Sequence, residues 1–357
     1  MSEYTLVEQP DSICDRLAQQ DRLGVDTEFM RERTFFAELS LVQVATGADI
    51  YCVDPLADDN MQAFWDALVA RTWVVHSARQ DIEVIYQSAR LMPRELFDTQ
   101  VAAGLVGLAP QVGYAGLVKE LFDVDIPKTH TRADWSKRPL ADELLHYAAE
   151  DVLYLLPAYE RLAELLEQQG RLDWAIEDSA LLLDPALYDV DPSLAIDRLK
   201  GARNLRGRGR AIAARLAAWR EQQALRKNRP RQWIVKDAAL VSLAIEQPSN
   251  TEDLQNIDGL APGLLRRSGN DILAAIRAAG SDNNDYRPPR RPDENQKALL
   301  KKMQGEVATC AADLGLAAET VASKRDLSAI IIGGNRDSKI LSGWRREVIG
   351  ERLLELL

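Results

Sequence analysis

The stretch LGVDTEF, Leu23 to Phe29, is a short apolar run with two carboxylates set into it, Asp26 and Glu28. Acids two residues apart on a strand project to the same face. Among Leu23, Val25 and Phe29, in a half-buried strand, they repel each other unless a cation neutralises them. An exposed strand edge with two surface acids has the same local pattern, so the rest of the chain must decide between the two.

Working outward, ELSLVQVAT (Glu38 to Thr46) alternates polar and apolar residues, and ADIYCVDP (Ala48 to Pro55) follows a turn at Gly47. Three strands joined by short turns predict an antiparallel start to a sheet. MQAFWDALVA has a helical period, TWVVHS reads as a strand, and ARQDIEVIYQSA is helical again. This β-then-α unit predicts a mixed α/β domain with helices covering the sheet. From Asp184 the texture changes to an irregular basic segment, then to the strongly helical AIAARLAAWREQQALRKN. SDNNDYRPPRRPDEN (Ser281 to Asn295) is rich in Pro, Asn and charge and reads as a linker, with helical sequence beyond it. IVKDAALVSLAI (234–245) has the shape of TVASKRDLSAII (320–331), and GLLRRSGNDILAAI (263–276) that of GWRREVIGERLLELL (343–357). The pairing predicts two copies of one small helical domain. The expected domains are therefore residues 1–190, 205–283 and 294–357.

The composition narrows the chemistry. At 357 residues the chain suits two or three domains, and its 46% apolar content is that of a globular protein. No apolar run approaches the ~20 residues needed to span a bilayer, and the N-terminus has no basic start followed by an apolar stretch. No membrane association is expected. Cys14, Cys52 and Cys310 are isolated and odd in number, which argues against a disulfide framework or a zinc site and fits a cytoplasmic location. With only His76, His130 and His146 available, a metal is held by oxygen, which points to Mg2+ or Mn2+. The net charge of −11 is unevenly spread. Between Arg198 and Lys236, thirteen Lys and Arg residues face one acid, Glu221. That segment is a basic arm able to meet phosphate, or else a solvated helix surface.

Two further acids complete a series. Asp81 lies in the first turn of the helix after TWVVHS, where it also complements the helix dipole. Asp151, in HYAAEDVLYLL, follows Tyr147 by four residues, so phenol and carboxylate share a helix face. Read singly, Tyr147 is equally well a core tyrosine. His146 stands five residues before Asp151 and has the better pKa for a general base near neutral pH. The two neighbours point about 100° apart on a helix and do not share the role.

In this order, the acids resemble the DEDD exonuclease superfamily in its tyrosine-containing branch. DTEFMRERTFFAELSLVQ, VVHSARQDIEV, FDTQVAA and KTHTRADWSKRPLADELLHYAAEDVLYLLPAY resemble the ribonuclease D family within it. LAAWREQQALRKNRPRQWIVKDAALVSLAIEQP, with LQNIDGL and Gly269, resembles the HRDC helical domain, and residues 297–357 resemble a second, more divergent copy. The resemblance implies a ribonuclease H-like mixed sheet followed by two small all-α domains. It further implies a 3′→5′ exoribonuclease that releases 5′-mononucleotides and trims tRNA precursors and other stable RNAs bearing a free 3′ end. Asp26, Glu28, Asp81 and Asp151 would hold two divalent cations, and Tyr147 would orient the attacking water or accept its proton. No obligatory protein partner is implied.

Supporting residues follow. Asp98 in FDTQ braces the site or caps the helix beginning near Thr99. Lys128 and Arg132, with Trp135, form a basic aromatic loop before the catalytic helix, able to grip phosphate or stack a base. Phe29 wedges beside the terminal nucleotide or belongs to the core. In the basic arm, Arg206, Arg208, Arg210 and Arg220 are candidate phosphate contacts. Two readings stay open beside this one: a DNA-directed exonuclease of the same superfamily, because the acids do not distinguish ribose from deoxyribose, and a non-catalytic RNA-binding adaptor.

Overall fold

Six strands form one mixed sheet in the computed structural model, which describes residues 3–58, 60–127, 133–279 and 292–357. The strands are β1 (Thr5–Val7), β2 (Arg22–Met30), β3 (Glu38–Ala45), β4 (Ile50–Val53), β5 (Thr72–Val75) and β6 (Glu95–Asp98), in the order β1-β4-β3-β2-β5-β6. The hairpin expected from the alternating segments is present, with β3 antiparallel to β4 from Val42 opposite Val53 to Ala45 opposite Ile50. β5 runs parallel to both β2 and β6, as a β-then-α unit demands. Strands β1 and β6 escaped the sequence reading because three or four residues are too few to display an alternation.

The acid-bearing strand β2 is interior to the sheet, between β3 and β5. Leu23, Val25 and Thr27 are buried on it, and so is Gly24. A Cβ at Gly24 would stand 3.2 Å from both Ala45 and Leu155, so glycine lets a helix start close against this strand. Helices α1 (Cys14–Ala18), α2 (Gln62–Val69), α3 (Arg79–Ala89), α4 (Thr99–Val106), α5 (Tyr114–Phe122), α6 (Asp142–Leu153), α7 (Leu155–Gln168) and α8 (Leu172–Ala180) complete the nuclease fold. In α7, Leu155, Ala158, Leu162 and Leu166 recur at helical spacing and are buried together.

The described residues divide into two compact units, 3–30 with 39–188 and 292–357, and 31–38 with 189–279. The first grouping corrects the expectation of a third, separate domain at 294–357.

The second unit contains α9 (Gly207–Lys227), α10 (Arg231–Ile234), α11 (Asp237–Glu246), α12 (Thr251–Gln255) and α13 (Pro262–Ala278). Ile212, Leu216, Leu240, Leu243, Ile272 and Ile276 form its core. The buried Glu221 carboxylate accepts from Arg231 and Arg198, so the one acid of the basic arm is a structural counter-ion. The Asn228 side chain accepts from the backbone N–H groups of Phe35 and Phe36, both at 3.0 Å, and Arg231 lies 4.4 Å from the Phe35 ring centre. This contact holds residues 31–38 within the second unit.

Residues 292–357 begin with α14 (Glu294–Leu314), whose N-terminus is closed by a reciprocal capping box between Asp293 and Gln296. Met303, Val307, Cys310 and Ala311 line its buried face and join the same apolar core as Leu105, Leu162 and Leu166. Trp344 stacks on Trp174 at 4.4 Å with the rings 6° from parallel. Arg345 binds Asp178 through two nitrogens, both side chains nearly buried. An amphipathic segment of this kind buries its apolar stripe against whatever surface complements it, and here that surface belongs to the nuclease helices. The linker expected at Ser281–Asn295 lies outside the described residues as far as 291.

Candidate active site

Asp26 and Glu28 stand on one face of β2, as their spacing requires. Asp151 reaches them from α6, and carboxylate oxygens of the three lie within 4.8 Å of one another. Asp81, in the first turn of α3, is buried beside this group and accepts a 2.6 Å hydrogen bond from the Thr27 hydroxyl. Thr27 points to the opposite side of its strand from Asp26 and Glu28. The bond therefore ties the third acid to the strand between the first two.

The electrostatics are those of an acid cluster with too little countercharge. Burial, then repulsion from Asp81, Asp151 and Glu28, holds the Asp26 carboxyl well above the usual carboxylate range. Glu28 is pushed up to about 8 by burial, then by Asp151 and Asp81. Burial raises Asp151 to about 7 against the opposing hydrogen bond from Tyr147. Asp81 rises to about 6, again through burial, with the Thr27 hydrogen bond opposing. Such a group is stable as carboxylates only with cations among the oxygens, and an all-oxygen donor set suits a hard divalent ion. The residues present therefore fit the metal that the sequence implied.

The Tyr147 hydroxyl bonds the Asp151 carboxylate one helical turn away. Burial and the neighbouring acids raise its pKa, so the phenol stays protonated. His146 instead lies edge-on to Tyr4, with ring centres 4.9 Å apart, on another face of α6. Of the adjacent pair, Tyr147 is the one on the helix face that turns toward the acids.

Around the acids an open cleft of about 620 Å³ is lined by Phe29, His76, Arg79, Gln80 and Trp135 among others. Phe29 is half-buried in the cleft wall rather than in the core. Trp135 is a packed side chain, 4% exposed, with its ring centre 6.3 Å from that of Tyr147. Lys128 and Arg132 lie outside the described residues. Asp98 fills both roles considered for it. It caps α4 through the amides of Gln100 and Val101, and also accepts from the amides of Ser77 and Ala78 at the entry to α3.

Two of the four candidate arginines of the basic arm are corrected. Arg210 is buried and donates to the Ala202 carbonyl at 3.1 Å. Arg220 is 2% exposed and donates to Asp237 and to the Val235 carbonyl. Both fall on the inward face of α9, a periodicity that charge counting ignores. Arg206 and Arg208 remain exposed at the start of that helix. The sequence reading passed over Arg138, which donates to Asp54 at 2.6 Å and to the carbonyls of Ser40 and Trp135. It pins the segment carrying Trp135 to the sheet. No local pattern signals it, because its partners lie as far as 98 residues away.

Comparisons with known proteins agree with this geometry. Residues 4–167 match the 3′-5′ exonuclease family, and residues 209–276 match the HRDC domain. Ribonuclease D of Gluconacetobacter diazotrophicus is 38% identical, over 99% of this chain and 91% of that protein. Ribonuclease D of Acidiphilium cryptum is 39% identical, over 99% and 93% respectively. The crystal structure of Escherichia coli RNase D, described as an exoribonuclease involved in structured RNA processing, superposes with a TM-score of 0.89 at 27% identity, covering 99% of this chain and 98% of that one. With the acids, the tyrosine and the sheet in one arrangement over the full length, the chain belongs to the ribonuclease D family of 3′→5′ exoribonucleases.

Proposed function

We propose that this enzyme trims the 3′ ends of tRNA precursors and other stable, structured RNAs in the cytoplasm, releasing nucleoside 5′-monophosphates with two divalent cations, Mg2+ or Mn2+. The observation that carries the reading is the meeting of Asp26, Glu28 and Asp151 oxygens within 4.8 Å at an open cleft, with Asp81 beside them. These four acids would hold the cations, which when bound would supply a water of lowered pKa and neutralise charge on the phosphate and leaving oxygen. Tyr147, its one proton donated to Asp151, accepts a hydrogen bond from the attacking water through a lone pair of its hydroxyl and so orients it. Orientation of this kind shortens the search for in-line attack at phosphorus. Phe29 packs beside the terminal base, while Arg206 and Arg208 contribute phosphate attraction. Residues Lys128 and Arg132 are assigned the same role on sequence grounds. No protein partner is required by this scheme, and among the described residues no helix is long and apolar enough to cross a membrane.

The test uses a 5′-labelled tRNA precursor with a 3′ extension, an unstructured RNA and a matching DNA, each with Mg2+, Mn2+ or EDTA. A metal-dependent ladder on RNA, weaker on DNA and lost in Asp26→Asn, is the expected result. Equal or faster cutting of DNA overturns the RNA assignment. Failure to shorten the precursor's extension while the unstructured RNA is degraded overturns the substrate class.

A further inference from the structure

Tyr114 lies in none of the acidic segments, yet its hydroxyl is built into the helix that carries two of the site residues. The hydroxyl accepts the Tyr154 N–H at 3.0 Å and donates to the Glu150 carbonyl at 3.0 Å. Those two backbone groups are four residues apart, and in an uninterrupted α-helix they would bond each other. Two features interrupt the helix here: Pro157 has no N–H to offer the Leu153 carbonyl, and the Tyr114 hydroxyl is inserted into a lower rung of the i→i−4 ladder. The break is visible here. Helix α6 ends at Leu153, α7 begins at Leu155, and Tyr154 between them has φ −100° and ψ 3°.

The position of this break matters to the site. Asp151 is next to Glu150 in the interrupted turn, and Tyr147 lies one turn before it. Immediately beyond the break, Leu155 packs at the Gly24 position of β2, two residues from Asp26. One continuous helix axis would have to serve both placements, whereas the break lets α6 and α7 be set separately. Tyr114 is itself firmly held. It is largely buried, lies edge-on to His76 with ring centres 5.8 Å apart, and His76 bonds Thr99 at 2.9 Å and the Val112 carbonyl at 3.0 Å. Burial also raises the phenol pKa, so the hydroxyl keeps the proton it donates.

We propose that Tyr114 is a positioning residue for the metal-binding carboxylates: its hydroxyl, wedged between the Glu150 carbonyl and the Tyr154 N–H, sets the turn of α6 that holds Asp151 against Asp26 and Glu28. The inference rests on the reading that these acids hold divalent cations. Pro157 keeps the Leu153 carbonyl outside the ladder, but without the hydroxyl the Glu150 carbonyl and the Tyr154 N–H bond each other directly, the turn tightens, and Asp151 turns relative to the strand. Mg2+ feels such a shift most, because it demands near-ideal octahedral geometry. The larger Mn2+ tolerates it better.

The experiment compares the full-length chain with Tyr114→Phe, which removes one oxygen and keeps the ring. Calorimetric titration with Mg2+ and with Mn2+ in the absence of RNA gives the metal affinities, and RNA degradation kinetics follow with each ion. The expected result is a variant with wild-type circular dichroism, Mg2+ affinity lower on the order of tenfold and a smaller loss for Mn2+. Its kcat with Mg2+ falls while KM for RNA stays within about twofold. Amide hydrogen exchange over residues 150–158 provides an independent readout, with slower exchange expected at Tyr154 once its N–H bonds the Glu150 carbonyl directly. Unchanged Mg2+ affinity and unchanged exchange, as when a water replaces the hydroxyl, overturn the proposal while leaving the metal reading intact. Wild-type protein that binds neither ion overturns the metal reading and this inference with it.

Discussion

The acid cluster makes a prediction that runs against intuition: in metal-free protein, Glu28→Gln raises stability at pH 7.5 while destroying activity. The Glu28 carboxyl is raised from 4.5 to about 8 by burial and by Asp151 and Asp81. A group whose folded pKa is raised favours the folded state below its unfolded value, and that contribution is lost as pH rises through the folded pKa. Relative to a neutral side chain, retaining this acid therefore costs little at pH 5 and progressively more toward pH 8. At about 1.4 kcal/mol per unit, the roughly three units between 4.5 and pH 7.5 amount to about 4 kcal/mol. Burying an imperfectly paired amide in its place costs about 1–3 kcal/mol. The net gain is about 1–3 kcal/mol, or roughly 2–12 °C in melting temperature for a unit of this size. The assay is thermal unfolding of both proteins in EDTA at pH 5 and pH 7.5, repeated with saturating Mg2+. At pH 5 the carboxyl costs under about 1 kcal/mol and the amide still costs about 1–3 kcal/mol, so the gain should disappear and the variant should melt at or below wild type. Mg2+ should raise the wild-type melting temperature above that of the variant, since a ligand bound only by the folded state stabilises it. A metal-free variant that melts at or below wild type at pH 7.5 refutes the reasoning. So does an equal gain at both pH values, which would separate the effect from charge.

Tyr147→Phe should lower kcat about 10²-fold or more with KM for RNA little changed, whereas His146→Ala stays within a few-fold of wild type. Steady-state kinetics with Mg2+ decide this, and the opposite ranking moves the assignment to the histidine. Arg220→Ala should cost about 3–5 kcal/mol in urea unfolding, because it strands Asp237 at a nearly buried ion pair. In contrast, Arg208→Ala should leave stability alone and reduce the slope of log affinity against log salt by about 1; equal salt slopes for wild type and Arg208→Ala would remove that residue from the RNA contact. Arg345→Ala should likewise cost about 3–5 kcal/mol by leaving the Asp178 carboxylate, nearly buried in the nuclease unit, with the Trp344 N–H but no countercharge. A loss under about 1 kcal/mol would mean that the C-terminal helices contribute little to holding that unit together.

Much of the site was legible because its geometry is local. The two-residue spacing of Asp26 and Glu28 and the four-residue spacing of Tyr147 and Asp151 translate directly into shared faces of a strand and a helix. The family resemblance supplied the rest of the acidic set, and the alternation of β3 and β4 announced the hairpin that leads away from it. Charge counting in the basic arm succeeded less well. It detects Arg210 and Arg220 as cations but not the inward face of α9 on which they lie.

By itself, the sequence determined which residue types share a face, which acids are candidates for holding a metal, and which family carries them. These follow from periods of two and 3.6 residues within single elements. Only the tertiary structure decided that Thr27 binds Asp81 across 54 residues, that Arg138 reaches Asp54 across 84, and that residues 292–357 complete the nuclease core. It also placed the Tyr114 hydroxyl inside a helix 36 residues further on. A hydrogen bond between distant segments depends on how whole elements pack, and packing leaves no repeating mark in the chain.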